Sequence, residues 1–149
     1  MEKKILSKRI IPNDLVHLFF EQVKERLNAG QKVKIPVAGK SMEPFLQNGD
    51  LVVLKKFEEK DLINGKIVLA YFNNAYVLHR VVKIKKGNVT LAGDGNIQQV
   101  EIISNKDILA VVVSAYRGEK ELNINTLLGQ IWYKLRIVRA VYNKIFGIK

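Results

Sequence analysis

The sequence predicts a mainly β protein: one compact antiparallel β-domain with an N-terminal helix and a C-terminal amphipathic helix. In the middle of the chain, short runs rich in Val, Ile, Leu and Tyr alternate with turn residues at close intervals. In the two end segments, apolar residues instead recur at helical spacing. The chain has 149 residues, 48% of them apolar, which suffices for one domain with a real core. We divide it into residues 1–31, 32–118 and 119–149.

The N-terminal segment predicts a helix that ends at Gly30. Its apolar residues recur three or four positions apart: Leu15, Leu18, Phe19, Val23 and Leu27. Gly30 is a natural stop because glycine readily adopts the left-handed conformation that follows a helix. His17 lies one position off the apolar stripe, so we expect it at the surface and not in a catalytic site.

Strands are predicted through the middle segment. Val33, Ile35 and Val37 alternate with polar or small residues, as in a half-buried strand. Asn73 and Asn74 lie between two β-rich runs and predict a hairpin, because Asn tolerates the positive φ of a two-residue turn. The further predicted strands cover residues 51–54, 66–72, 75–84, 89–92 and 108–116.

The C-terminal segment predicts one basic amphipathic helix. Its apolar residues follow helical spacing: Leu128, Ile131, Trp132, Leu135, Val138, Tyr142, Ile145 and Phe146. Residues 126–149 contain five cations and no acid. Three partners remain open for this helix: an anionic membrane surface, another protein, or the core of its own domain.

Composition excludes several classes of function. Because the chain has no cysteine, it has no disulfides, thiolate metal sites or cysteine nucleophile. Its only histidines are His17 and His79, so we expect no metal and no cofactor. The net charge of +11 favours anionic partners, but no recognition helix or basic-aromatic platform favours nucleic acid. Without a secretory signal or a spanning apolar run, we expect a cytoplasmic protein, at most peripheral on the inner membrane face.

The segment around Ser41 is the candidate for chemistry. Ser41 follows a predicted strand and a glycine, and it precedes Met42 and Pro44, so the turn can expose its hydroxyl. Gly39 would let a substrate backbone approach closely. A serine hydroxyl needs a base to take its proton, and His79 in a predicted strand is the candidate. Spacing alone leaves a structural role for His79 open.

Three motifs carry a family resemblance. Residues 39–50 read Gly-Lys-Ser-Met-Glu-Pro-Phe-Leu-Gln-Asn-Gly-Asp, which resembles the nucleophile motif of the serine peptidase group containing type I signal peptidases and LexA-like repressors. Residues 79–82, His-Arg-Val-Val, resemble the second motif, and residues 91–96, Leu-Ala-Gly-Asp-Gly-Asn, resemble the third. The resemblance covers roughly residues 32–116, and Met42, Pro44, Gly49, Asp50 and Arg80 support it.

The resemblance implies a LexA/signal peptidase-type fold and a Ser/His mechanism. Histidine at position 79 is similar to the endoplasmic-reticulum and archaeal-like branch of signal peptidases, although no membrane anchor is recognisable. Ser41 would attack a peptide carbonyl and His79 would act as its base. Asp94 is the favoured carboxylate for orienting His79, with Glu101 as the alternative; Asp94 acting only as a turn residue also stays open.

The resemblance also implies an oxyanion hole built from backbone. Signal peptidases often have a serine two residues before the nucleophile, where this sequence has Gly39. Backbone N–H groups, including that of Ser41, would then stabilise the oxyanion, and Gly39 and Ser41 together are the residues expected to meet the oxyanion and the substrate backbone.

The function expected from this resemblance is a serine endopeptidase that cleaves a peptide or leader segment of a protein substrate. One alternative is a catalytically weak or inactive peptidase-like module that binds peptides. Another alternative is a LexA-like regulator that cleaves itself at Ala29–Gly30 or Ala38–Gly39. It is less favoured, because both bonds lie too close to Ser41 in the chain to loop into its site.

Overall fold

A curled antiparallel sheet, flanked by an N-terminal helix and two C-terminal helices, forms the protein. The computed structural model describes residues 13–96, 99–124 and 126–147, so the first twelve residues of the predicted N-terminal segment lie outside the described part. The helices are α1 (Asn13–Asn28), α2 (Thr126–Lys134) and α3 (Arg136–Phe146). The strands are β1 (Val33–Pro36), β2 (Leu51–Lys56), β3 (Ile67–Phe72), β4 (Ala75–Lys85), β5 (Asn88–Ala92), β6 (Glu101–Ile103), β7 (Ile108–Arg117) and β8 (Lys120–Glu121). The predicted fold class is confirmed.

The sheet order is β1-β2-β7-β3-β4-β5-β6, with β8 paired to β7 and every described pairing antiparallel. Strand β3 lies near the centre and packs on both faces, because alternate side chains point to opposite sides of a sheet. Ile67 and Leu69 join the cluster under α1, whereas Val68 and Ala70 join a second cluster on the other face. This explains why residues 67–70 read as an unbroken apolar run.

The C-terminal segment differs from its prediction. It forms two helices separated at Leu135, not one, and the Trp132 carbonyl just before the break accepts a hydrogen bond from the Arg139 side chain. A side chain that takes a helix carbonyl in this way interrupts the backbone ladder and bends the helix. Strand β8 also lies within the segment predicted as tail, so the sheet extends past residue 118. Among the described residues, no helix is long and apolar enough to cross a membrane.

Candidate active site

The loop between β1 and β2 holds Ser41 in a tightly fastened turn. Gly39 and Gly49 both adopt positive φ, at 85° and 92°, which favours glycine. The N–H of Gly49 donates to the Val37 carbonyl at 2.8 Å, and the N–H of Val37 donates to the Asp50 carbonyl at 2.7 Å. Met42 and Leu46 are fully buried in the core. The loop is therefore anchored at both ends and from beneath, which fixes the position of Ser41.

Asp50 closes the base of this loop. Its carboxylate accepts two hydrogen bonds from the Arg117 guanidinium, both at 2.9 Å, and one from the N–H of Gln47 at 2.7 Å. The Arg117 hydrogen bond outweighs burial and lowers the pKa of Asp50 below its ordinary value. The Gly49–Asp50 pair of the sequence motif therefore has a structural role: Asp50 ties the β1–β2 loop to β7 through Arg117.

Ser41 and His79 meet at hydrogen-bonding distance. The Ser41 hydroxyl lies 3.1 Å from Nε2 of His79, which is on β4. The other ring nitrogen, Nδ1, lies 2.5 Å from Oε1 of Glu101, on the short strand β6. Glu101 and His79 are both buried. A carboxylate only accepts hydrogen bonds, so it holds the proton on Nδ1 and leaves the Nε2 lone pair directed at the serine hydroxyl.

The expected contact of Asp94 with His79 is corrected: the carboxylate beside Nδ1 is that of Glu101, the alternative. Asp94 makes two hydrogen bonds, both at 2.8 Å, with the guanidinium of fully buried Arg80. Arg80 also donates to the Gly65 carbonyl at 2.7 Å. Because His79 and Arg80 are neighbours on one strand, their side chains point to opposite faces, and Asp94 lies on the Arg80 side.

The glycines beside Asp94 let this segment approach Ser41. The N–H of Gly95 donates to the Ser41 carbonyl at 2.9 Å. A Cβ atom at Gly93 would lie 2.4 Å from that carbonyl oxygen and 3.2 Å from His79 Nε2. Sequence reasoning placed Gly93 and Gly95 in a motif but gave them no site role. The sequence signal for them is the pattern Gly93-Asp94-Gly95, because a glycine on each side of a polar residue permits a close backbone approach.

The predicted backbone donors differ in their surroundings. The N–H of Gly39 donates to Oδ1 of Asn48 at 2.9 Å, so this group is already engaged within the loop. Asn48 was missed by sequence reasoning as the residue that fixes this turn. The space around Gly39 is open, with no atom within 4 Å of an added Cβ, which suits the close approach of a substrate backbone. The N–H of Ser41 remains the predicted donor.

An apolar pocket of about 190 Å³ opens beside the Ser41–His79 pair. One wall is the stacked pair of Phe20 on α1 and Tyr76 on β4, with ring centroids 4.2 Å apart. The rest of the lining comes mainly from the end of β1, the loop between β1 and β2, and β4: Ile35, Pro36, Val37, Ala38, Met42, Leu69, Val77 and Leu78. His17 is exposed and contacts Tyr71 and Tyr76 at the outer end of this wall. The pocket could accept an apolar side chain within reach of the serine.

No group of three or more potential metal-binding side chains is found in the part of the chain that the structure describes.

The comparison with protein families gives an independent line of argument. The family model described as Peptidase S24-like matches residues 17–113, more than half of the chain. The matched segment contains the Ser41 turn, His79, Asp94 and Glu101. A search of curated proteins finds no match. On the family match, the chain belongs to the Peptidase S24-like family of serine peptidases.

Proposed function

We propose that this protein is a serine endopeptidase in which Ser41 is the nucleophile, His79 the base and Glu101 the orienting carboxylate. One observation carries the proposal: a line of hydrogen bonds runs from buried Glu101 through both ring nitrogens of buried His79 to the hydroxyl of exposed Ser41, at 2.5 and 3.1 Å. This is the arrangement that activates a serine for acyl transfer. Histidine at position 79 supports kinship with the Ser/His branch of the signal peptidases.

The reaction follows from these positions. Ser41 Oγ attacks the carbonyl carbon of the scissile peptide while its proton passes to His79 Nε2. The tetrahedral intermediate collapses, the C–N bond breaks, and Nε2 returns the proton to the leaving amine. Water then attacks the acyl-enzyme with the same base, which releases the acid product and restores the Ser41 hydroxyl. Throughout, Glu101 stabilises the imidazolium through Nδ1.

The free strand edges support an extended peptide as the substrate. Strand β1 lies at one end of the sheet, and β5 pairs with β4 only from Arg80 onward. Among the described strands, residues 76–79 of β4 therefore pair with β3 alone. Both edges border the apolar pocket beside Ser41. A peptide added between them would present its backbone to Ser41 and one apolar side chain to the pocket.

The test needs no known substrate. A fluorophosphonate probe reacts with an activated serine by forming a P–O bond with loss of fluoride, and mass spectrometry locates the adduct. We expect labelling at Ser41 that is lost in Ser41→Ala and strongly reduced in His79→Ala. Ser114→Ala, which removes a β7 serine outside the site, is the matched control and should label normally. The proposal would be contradicted if His79→Ala labelled as strongly as the wild type, or if no label formed on Ser41.

Peptide libraries then separate hydrolysis from binding. Cleavage by the wild-type chain that Ser41→Ala abolishes supports the endopeptidase. If peptides bind equally to both chains and neither cleaves them, the protein is a peptidase-like binding module.

If the chain cleaves itself, intact-mass spectrometry should detect a shorter chain. The structure disfavours it, because Ala29–Gly30 is hydrogen-bonded at the end of α1 and Gly39 of the other bond is held by Asn48.

A further inference from the structure

Helix α3 lies against the protein with its polar side and turns its apolar side to solvent. The described residues that are half-buried are Arg136, Arg139, Ala140 and Asn143. The outer face, as we call it, consists of five exposed apolar residues that lie together at helical spacing: Val138, Val141, Tyr142, Ile145 and Phe146. Val138 is 63% exposed and Ile145 is 70% exposed. A surface helix normally has the opposite orientation, so this face is suited to a partner.

Contacts made by Arg139 fix this orientation. Its guanidinium lies 4.1 Å from the centroid of the Trp132 ring, on α2. It donates to the carbonyl of Trp132 at 3.0 Å and to the carbonyl of Asp94 at 3.1 Å. Trp132 Nε1 donates to the same Asp94 carbonyl at 2.7 Å. Turning the outer face inward would break these bonds, so the apolar face stays outward in the folded protein.

Charge selects the occupant of the outer face. Residues 126–149 contain five cations and no acid; among the described ones, Lys134 and Lys144 are exposed on the two C-terminal helices, whereas Arg136 and Arg139 lie on the half-buried side. A second copy of the chain would bring the same positive charge to the contact. Residues 1–12 carry four cations and one acid, so they too would be repelled. Anionic lipid offers both an apolar layer for the outer face and negative charge for the lysines.

We propose that α3 docks this protein on an anionic lipid surface. The outer face enters the boundary between headgroups and acyl chains, while Lys134 and Lys144 lie among the phosphates. The exposed Leu127, Leu128 and Ile131 of α2 extend the apolar contact. This docking does not depend on the peptidase chemistry.

Vesicle sedimentation of the full chain tests the docking. We expect binding to vesicles of phosphatidylglycerol and phosphatidylcholine, little binding to phosphatidylcholine alone, and weaker binding as salt rises. The double variant Val138→Glu/Ile145→Glu should bind the anionic vesicles about tenfold less, or weaker still, because it places two charges in the apolar contact. The matched control, Leu15→Glu/Leu18→Glu, changes two exposed leucines on α1 and should bind like the wild type.

Three results would overturn the proposal: equal binding to neutral vesicles, equal loss in both double variants, or no binding to anionic vesicles at low salt. A wild-type dimer in analytical ultracentrifugation that Val138→Glu/Ile145→Glu converts to monomer would assign the face to a second copy instead. Lys134→Gln/Lys144→Gln keeps the apolar face and should lower only the anionic binding. Ser41→Ala should bind the anionic vesicles as the wild type does. The vesicle result can therefore be interpreted even if the protein proves to have no peptidase activity.

Discussion

Replacing Glu101 by Gln is the sharpest test of how the site works. The structure gives Glu101, and not Asp94, the contact with Nδ1 of His79. A glutamine has almost the same shape, but its amide can donate to Nδ1 as well as accept from it. When it donates, the ring proton moves to Nε2, and the histidine no longer accepts the proton of Ser41. The variant should therefore fold and bind but react slowly.

The expected size of the effect follows from the triad chemistry. The corresponding acid-to-amide change in a Ser-His-Asp triad lowers kcat by about 10⁴. At 1.36 kcal/mol for each factor of ten, this is about 5 kcal/mol of lost transition-state stabilisation. Stability should change by less, because the glutamine side chain retains an acceptor for Nδ1–H; we expect about 2 kcal/mol at most.

Asp94→Asn is the matched comparison, because it makes the same chemical change in the other buried carboxylate. It leaves the guanidinium of fully buried Arg80 without a countercharge. Removing one partner of a buried ion pair costs about 3 to 5 kcal/mol. For a chain of this size, that is a fall in Tm of about 6 to 20 °C. The two variants should thus separate reaction rate from stability.

The assay is the rate of fluorophosphonate labelling at Ser41, measured beside Tm by circular dichroism on the same samples. Glu101→Gln should lower the labelling rate by several orders of magnitude with a small change in Tm. Asp94→Asn should lower Tm strongly, and at temperatures where it stays folded it should label faster than Glu101→Gln. A Glu101→Gln variant that labels within a few-fold of the wild type would refute the assignment of Glu101.

Two further predictions concern the loops around the serine. In Gly93→Ala, the new Cβ would clash with the Ser41 carbonyl, so labelling of Ser41 should fall by about 10² or more; Gly87→Ala, in a turn away from the site, should lower Tm but label normally. Arg117→Gln should lower Tm at neutral pH. The hydrogen bond from Arg117 lowers the pKa of Asp50, which means that it stabilises the folded protein while Asp50 is ionised. That stabilisation is full above the ordinary carboxyl pKa of about 4 and is lost as pH falls through the lowered pKa, so wild-type and variant Tm should converge in acid. A constant difference in Tm across pH would contradict this role of Asp50.

Local sequence signals were sufficient for much of the fold. Asn73 and Asn74 adopt φ of 52° and 63° in the hairpin between β3 and β4, as a two-residue turn requires. The glycine positions around Ser41 likewise predicted a turn, because positive φ is a property of the local backbone. Such features depend on a few neighbouring residues, which the sequence displays directly.

The carboxylate assignment could not be obtained in the same way. His79 and Glu101 are 22 positions apart and lie on strands β4 and β6, which β5 separates. Their contact depends on the register of two strand pairs and on a register shift after Val81. Neither register is visible in the residues themselves. Asp94 was favoured because it lies in the motif, yet it pairs with Arg80, whose side chain points to the face of β4 opposite His79.

The C-terminal helices help to hold the site in place, although the family match ends at residue 113. Trp132 and Arg139 both donate to the Asp94 carbonyl, and the N–H of the next residue, Gly95, holds the Ser41 carbonyl. Gly129 also lies against Arg80 so closely that an added Cβ would be 2.1 Å from the guanidinium carbon. Asp94 is therefore fixed from two sides, by Arg80 through its carboxylate and by the helices through its carbonyl. The same short segment thus links Trp132 of α2 and Arg139 of α3 to Ser41 through two consecutive residues, Asp94 and Gly95.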